Sequence, residues 1–154
     1  MTYEETVNDF LRKGLINKQK TGFDQVEKLV MRAQKDLKVA RTNMAIDEEV
    51  AYQYAYLAMM RCGRALILLQ GIRPTDGQQH KTVIELSRLI LGDDFETLIV
   101  KFDQMRRKRN QFTYEPSSPV SASEAKNALS SAGDFVKKVS VFIKKQNSQQ
   151  HFSF

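Results

Sequence analysis

The segment between Asp47 and Gly71 is apolar on nearly all of its sides, and it constrains the fold more than any other part of the chain. Asp47 and the two glutamates after it offer an N-cap and an acidic first turn, so we expect one helix that ends near Gln70. Small side chains form a seam along this helix, at Ala51, Ala55, Ala58, Cys62 and Ala65. Such a seam lets a neighbouring helix approach closely, which predicts that this helix lies at the centre of a bundle.

Composition extends the helical prediction to the whole chain. Its 154 residues include only 7 Gly and 3 Pro, whereas helix formers such as Leu, Ala, Lys and Glu are plentiful. With 42% hydrophobic residues, the chain is long enough for one domain with a sizeable core and too short for two. We predict an all-α protein, an antiparallel bundle of five to six helices, with one domain over residues 1–145 and a flexible C-terminal tail over residues 146–154.

Capping boxes mark the first and last helices. Thr2 with Glu5 starts a short helix that Gly14 ends, and Ser121 with Glu124 starts a long helix that continues to the end of the predicted domain. In each pair the hydroxyl and the carboxylate satisfy backbone amides that would otherwise lack partners.

A second amphipathic helix follows Gly22, after a connector over residues 15–21. Its apolar residues alternate steps of three and four, at Phe23, Val26, Val30, Ala33, Leu37, Ala40 and Met44. Its other face carries charged residues, namely Glu27, Lys28, Lys35 and Lys38. Beyond the central helix, residues 72–77 have the composition of a turn.

Two more helices are predicted before the last one. A short helix begins near His80 and stops at Gly92, and Asp93 or Asp94 then caps the next helix. That next helix ends in the most basic run of the chain.

Charge and cysteine content restrict the compartment and the partners. A net charge of +6 and a pI near 9.5 permit binding to nucleic acid or another polyanion, although such an excess also serves solubility. The single cysteine, Cys62, indicates a reducing compartment and is expected to fill the core. The N-terminus has no apolar stretch typical of a secretory signal, and Arg61 and Arg64 interrupt the most apolar segment, residues 54–69. We therefore predict a cytoplasmic protein without a membrane partner.

Few residues are available for metal or nucleophilic chemistry. The chain has two histidines and one cysteine, and it contains no HExxH, CxxC or glycine-rich phosphate loop. We predict no metal site and no cofactor. Paired carboxylates at residues 48–49 and 93–94 stand where helices begin, so we interpret them as caps rather than as acid–base catalysts.

The basic run over residues 105–114 is where the sequence points to a function. An apolar stripe leads into it at Phe95, Leu98, Ile99, Phe102 and Met105 and resumes at Phe112. Arg109 occupies the next position on that stripe. A guanidinium is costly to bury without a partner, so this end of the helix must face a phosphate, a carboxylate, water or a partner chain.

Neighbouring side chains could complete a phosphate site. Asn110 and Tyr114 are four residues apart on one helical face, and Arg109 lies within reach of them. Arg offers a bidentate fork, Asn a donor and an acceptor, and Tyr a hydroxyl or a stacking ring. The adjacent cations Arg106, Arg107 and Lys108 would add attraction to a nucleic-acid backbone. The alternative interpretation is an ordinary basic helix C-terminus with solvated arginines.

The segment Arg109-Asn110-Gln111-Phe112-Thr113-Tyr114 resembles the signature of HEPN-domain proteins, which is Arg, a polar residue, three variable positions and His. Residues 51–66 and 79–84 are also similar to the central helix and the following segment of prokaryotic HEPN proteins. The resemblance covers roughly residues 23–116 and implies a small helical bundle.

The resemblance also implies partners and an activity. Proteins of the HEPN family commonly form homodimers in which two copies of the motif face each other, and many are metal-independent ribonucleases. Some are toxins encoded beside a minimal nucleotidyltransferase, which in some pairs adenylylates a tyrosine near the motif. By this resemblance Arg109, Asn110 and Tyr114 are the candidate catalytic residues, in a basic cleft that binds RNA or a nucleotide.

Tyr114 stands where the family motif has His. A tyrosine with an ordinary pKa near 10 is a poor general base at neutral pH. His80 could replace it in principle, although we favour the interpretation that it caps or orients the start of its own helix. We therefore expect a homodimeric HEPN protein that binds RNA or a nucleotide and works with a nucleotidyltransferase partner in a toxin–antitoxin or defence system. The alternatives are an active metal-independent ribonuclease toxin and a structural helical interaction module.

Overall fold

The computed structural model describes residues 1–20, 22–77, 79–117, 119–147 and 151–154. Within them it has six α-helices: α1 (Tyr3–Arg12), α2 (Phe23–Asn43), α3 (Glu48–Leu69), α4 (His80–Leu91), α5 (Glu96–Tyr114) and α6 (Ala122–Gln146). A short 3₁₀ helix, Asp93–Phe95, precedes α5. Two short strands, β1 (Ile16–Lys18) and β2 (Ile72–Pro74), pair in antiparallel fashion. The prediction of an all-α bundle is confirmed.

The apolar α3 is the centre of the bundle, as predicted. It packs against four helices, most extensively against α2 and α6 and less against α4 and α5. All five small residues of its predicted seam are fully buried. Cys62 is one of them, and burial raises the pKa of its thiol, which fits a residue that fills the core.

Gly63 marks the closest approach of α4 to α3. A Cβ atom added there would lie 2.7 Å from Cγ1 of Val83 and 3.1 Å from Oγ of Ser87, which are both on α4. The ring of Phe102 on α5 would be 3.6 Å away. Gly63 is therefore required for space between helices, because even one methyl group would push α4 outwards.

The predicted helix caps are mostly confirmed. Both capping boxes form, and the Asp47 side chain accepts hydrogen bonds from two backbone amides at the start of α3. The prediction that Asp93 or Asp94 caps α5 is wrong. Gly92 has a left-handed backbone with φ +81°, which turns the chain so that both aspartates enter the separate 3₁₀ helix. Phe95 then takes the N-cap position of α5 without a side-chain hydrogen bond.

The two strands were not predicted. Residues 15–21, of which residue 21 is outside the described residues, were expected to be a plain connector, and residues 72–77 a turn. Instead Ile16 pairs with Pro74, and Ile16 and Ile72 are almost completely buried. Three-residue strands are too short to show an alternating pattern, so only tertiary contact identifies them.

One buried ion pair was also not predicted. Asp36 lies on the buried side of α2 with 2% of its surface exposed, and its Oδ2 is 2.5 Å from Nε of Arg61 on α3. Burial raises the pKa of Asp36 even though the Arg61 hydrogen bond and charge oppose this shift. Arg61, which was predicted only to interrupt an apolar segment, thus joins α2 to α3.

The predicted flexible tail over residues 146–154 includes residues 148–150, which are outside the described residues. Phe152 contacts Phe23 edge to face with ring centres 6.3 Å apart, and the Lys144 ammonium is 5.1 Å from the centre of the Phe154 ring. The flexibility of the tail stays a prediction.

In the described part of the chain, no helix combines the length and the apolar character needed to cross a bilayer.

We expect Gly63→Ala to destabilise the protein by about 1–3 kcal/mol, because its methyl group would overlap Val83 and Ser87. Gly133→Ala is a matched control in α6, where an added Cβ meets nothing within 4 Å. The control should stabilise the protein by up to about 1 kcal/mol through its helix propensity. Urea unfolding of both variants measures the free energies, and an equal effect of the two changes would contradict the close approach at Gly63.

Arg61→Ala should lower the free energy of unfolding by about 3 kcal/mol, because Asp36 would remain buried without its partner. The double variant Asp36→Leu/Arg61→Met removes both charges and should lie much closer to the unmodified protein. Denaturant unfolding at neutral pH compares the two variants. A double variant as unstable as Arg61→Ala would show that packing, rather than an unpaired carboxylate, determines the loss.

Candidate nucleic-acid binding site

A cavity of about 200 Å³ lies between the N-terminus of α4 and the C-terminal half of α5. Six side chains line it: His80, Lys81, Arg106, Arg109, Asn110 and Tyr114. Four of them belong to the basic run of α5, which the sequence singled out. The other two come from α4, so the cavity exists only because two helices meet.

Burial of the apolar stripe fixes the rotation of α5. Five of the six predicted stripe residues are buried, namely Leu98, Ile99, Phe102, Met105 and Phe112, whereas Phe95 precedes α5 and is only partly buried. Arg109 follows Met105 by four positions and is half-buried beside this stripe. Tyr114, two positions beyond Phe112, is 77% exposed and forms the rim of the cavity.

The charge of Arg109 is not neutralised within the described part of the chain. Its Nη1 donates only to the side-chain oxygen of its neighbour Asn110, at 3.4 Å. No ion pair between Arg109 and a described carboxylate is formed, although eight ion pairs occur elsewhere in that part of the chain. A half-buried guanidinium with only a long hydrogen bond retains most of its capacity to bind an anion.

Arg106 is held in place by a carboxylate one turn earlier. Its Nε donates to Oδ1 of Asp103 at 2.9 Å, and Arg107 reaches Oδ2 of the same residue at 2.9 Å. Burial raises the pKa of Asp103, but the hydrogen bonds and charges of the two arginines outweigh it and hold that pKa below its ordinary value. Asp103 therefore stays ionised and orients Arg106 towards the cavity.

An imidazole enters the cavity from α4. His80 is the first residue of that helix, and its Nδ1 is 2.7 Å from the hydroxyl of Tyr56 on α3. Burial lowers the pKa of His80, the charge of Arg109 lowers it further, and the Gly77 carbonyl only partly opposes them. Burial raises the pKa of Tyr56, so its hydroxyl keeps its proton and fixes one edge of a neutral His80 ring.

Two predicted binding residues lie outside the cavity. The Arg107 side chain is 71% exposed and pairs with Asp103. Lys108 points towards α6, where its Nζ is 3.3 Å from Glu124 and 3.4 Å from the carbonyl of Pro119. Successive residues of an α-helix are about 100° apart around its axis. Arg107 and Lys108 therefore point away from the side that Arg106 and Arg109 share, although the four residues are consecutive in the sequence.

Sequence reasoning missed two residues of this site. Lys81 belongs to no functional motif, so only its position next to His80 could have predicted that it lines the cavity. Tyr56 reads as one more apolar residue of α3, because its hydroxyl partner is 24 positions away. His80 itself was considered for either a catalytic or a helix-starting position, and it both begins α4 and lines the cavity.

The chemistry of the cavity suits an anion of phosphate size. Three cationic side chains, Lys81, Arg106 and Arg109, line it, and none of its described lining residues is a carboxylate. Asn110 adds an amide, and Tyr114 adds a phenol at the rim. The described residues contain no group of three His, Cys, Asp or Glu side chains that could hold a metal ion.

Comparison with known families agrees with this fold. The family model described as HEPN domain matches residues 26–145, which is more than three quarters of the chain and includes the whole cavity. No curated protein and no solved structure matches the chain at a significant level. The matched region begins in α2 and ends in α6, so it covers all helices that build the bundle core. The chain belongs to the HEPN-domain family.

Proposed function

We propose that this protein binds RNA through the cavity between α4 and α5, with one phosphodiester held by Arg109. The observation that carries the proposal is the half-buried Arg109, which has no carboxylate partner among the described residues and faces a cavity without an acidic wall. Membership of the HEPN family supports a role that involves nucleic acid.

Each lining residue has a defined part in this proposal. Arg109 offers its guanidinium fork to two phosphate oxygens, and Arg106 and Lys81 add positive charge on either side. Asn110 donates from its amide nitrogen, since its oxygen already accepts from Arg109. Tyr114 is exposed enough to stack on a base next to the bound phosphate.

The family resemblance supports a wider proposal. Two copies of the chain would form a homodimer in which their cavities face each other, and a minimal nucleotidyltransferase would be a partner in a toxin–antitoxin or defence system of the cytoplasm. A nucleotide in place of RNA would use the same contacts. These proposals rest on the motif around Arg109 and not on a surface of the monomer.

A second candidate function is metal-independent RNA cleavage, and the position of His80 favours it. In that role His80 Nδ1 donates to the Tyr56 hydroxyl, and the other ring nitrogen takes the proton of the ribose 2′-hydroxyl. The 2′-oxygen then bonds to phosphorus while the bond to the 5′-oxygen breaks, and water protonates the departing oxygen. Arg109 would stabilise the charge that develops on the phosphate.

Arg109→Ala should weaken the binding of labelled single-stranded RNA by about 10- to 100-fold, the usual effect of losing hydrogen bonds to a charged group. Arg107→Ala is the matched control, because it removes an arginine two positions away that is exposed and outside the cavity. Fluorescence anisotropy at fixed salt measures both. Equal losses in the two variants would indicate attraction by the basic helix as a whole, and no loss in either would favour a structural interaction module.

We expect the protein to cleave RNA in the presence of a metal chelator. This activity should be lost in His80→Gln and reduced in Tyr56→Phe. Because the His80 pKa is lowered, the rate should fall only below about pH 6.5, the ordinary histidine value, and should be constant from there to neutral pH. RNA products with 2′,3′-cyclic phosphate ends identify the reaction. Loss of cleavage in Tyr114→Phe with full activity in His80→Gln would instead assign the proton transfer to Tyr114.

A further inference from the structure

A second positively charged groove lies along the outer face of α2. It has a volume of about 880 Å³, and five cationic side chains contribute to its lining: Lys28, Arg32, Lys35, Lys38 and Arg61. Leu29, Met31 and Gln34 complete the lining, and no carboxylate is among these residues. We refer to this surface as the α2 groove.

The arrangement of α2 explains why these cations form a line. Its apolar face is buried against α3 and α6 through Val26, Val30, Ala33, Leu37 and Ala40. The opposite face therefore presents Lys28, Arg32, Lys35 and Lys38 to solvent at steps of three or four residues. At 1.5 Å of rise per residue, the four charges are spread over about 15 Å along the helix.

Few ion pairs neutralise this line. In the described part of the chain, Arg61 is the one groove cation that forms an ion pair, and its partner Asp36 is buried beneath the groove. The charges of Arg32 and Lys35 also act on Asp36, but a single carboxylate cannot offset five cations. The α2 groove thus keeps a large positive potential at its surface.

The apolar residue in the middle of the groove indicates the kind of ligand. Met31 is 45% exposed and lies among the cations rather than in the core. A single-stranded nucleic acid offers phosphates to lysine and arginine and offers base faces to a polarizable apolar side chain. An acidic protein surface would pair with the cations but would offer no base face for the exposed Met31 side chain to contact.

The α2 groove and the Arg109 cavity are separate sites. The α2 groove is lined by residues of α2 and α3, whereas the cavity is lined by residues of α4 and α5. We infer that the α2 groove is a second RNA-binding surface, which holds the phosphates of a single strand. The choice of RNA as ligand rests on the proposed function, but the site itself shares no residue with the cavity.

The triple variant Arg32→Gln/Lys35→Gln/Lys38→Gln tests this inference and keeps both residues of the Arg61–Asp36 pair. The control Lys126→Gln/Lys137→Gln/Lys145→Gln removes the same number of charges from exposed positions of α6. Anisotropy over a salt series gives the affinity of each protein for a long labelled single-stranded RNA. Binding of a labelled dinucleotide, which is short enough for the cavity alone, is measured beside it.

The α2 variant should bind the long RNA about tenfold more weakly. The slope of its plot of log affinity against log salt concentration should be smaller in magnitude by about 2, which corresponds to the loss of three phosphate contacts. Its dinucleotide binding should be unchanged, and the α6 variant should resemble the unmodified protein. Equal effects of the two triple variants, or none in either, would overturn the inference. Unchanged dinucleotide binding in Arg109→Ala with a weakened α2 variant would refute the cavity and leave the α2 groove intact.

Discussion

The close contact of α4 with α3 at Gly63 positions the α4 side of the candidate site. Because Gly63 has no side chain, Val83 and Ser87 can approach the α3 backbone, and Phe102 of α5 packs beside them. The same Phe102 ring contacts Tyr56 edge to face, with ring centres 5.8 Å apart. The absence of a side chain at Gly63 therefore lets α4 pack close to α3, and the cavity lies where α4 meets α5.

That contact also explains the neutral imidazole. With α4 held close, His80 at its N-terminus meets the hydroxyl of Tyr56, and both groups are withdrawn from water. Burial and the charge of Arg109 then act in the same direction on the His80 pKa. The electrostatic state of the cavity is thus a consequence of helix packing.

Local signals in the sequence predicted the helices well and the contacts between them poorly. The capping boxes at Thr2 and Ser121 and the seam of α3 depend on residues within a few positions, so they could be identified from the chain alone. The 3₁₀ helix after Gly92, the strand pair and the burial of Asp36 depend on distant partners, and the sequence gives no periodic trace of them. The position of Arg109 next to the apolar stripe of α5 follows from local spacing and could be predicted. Its proximity to His80 depends on how α4 and α5 pack, and it could not be predicted.

The replacement of the motif histidine by Tyr114 has a different meaning once the fold is known. At 77% exposure, Tyr114 stands at the rim, where a ring can meet a base but where water competes for every proton. His80 is half-buried in the same cavity and has its ring fixed by Tyr56, which is the environment that acid–base chemistry requires. An imidazole from α4 therefore lines the same cavity as the motif position on α5, so the proposed cleavage does not depend on a histidine at position 114.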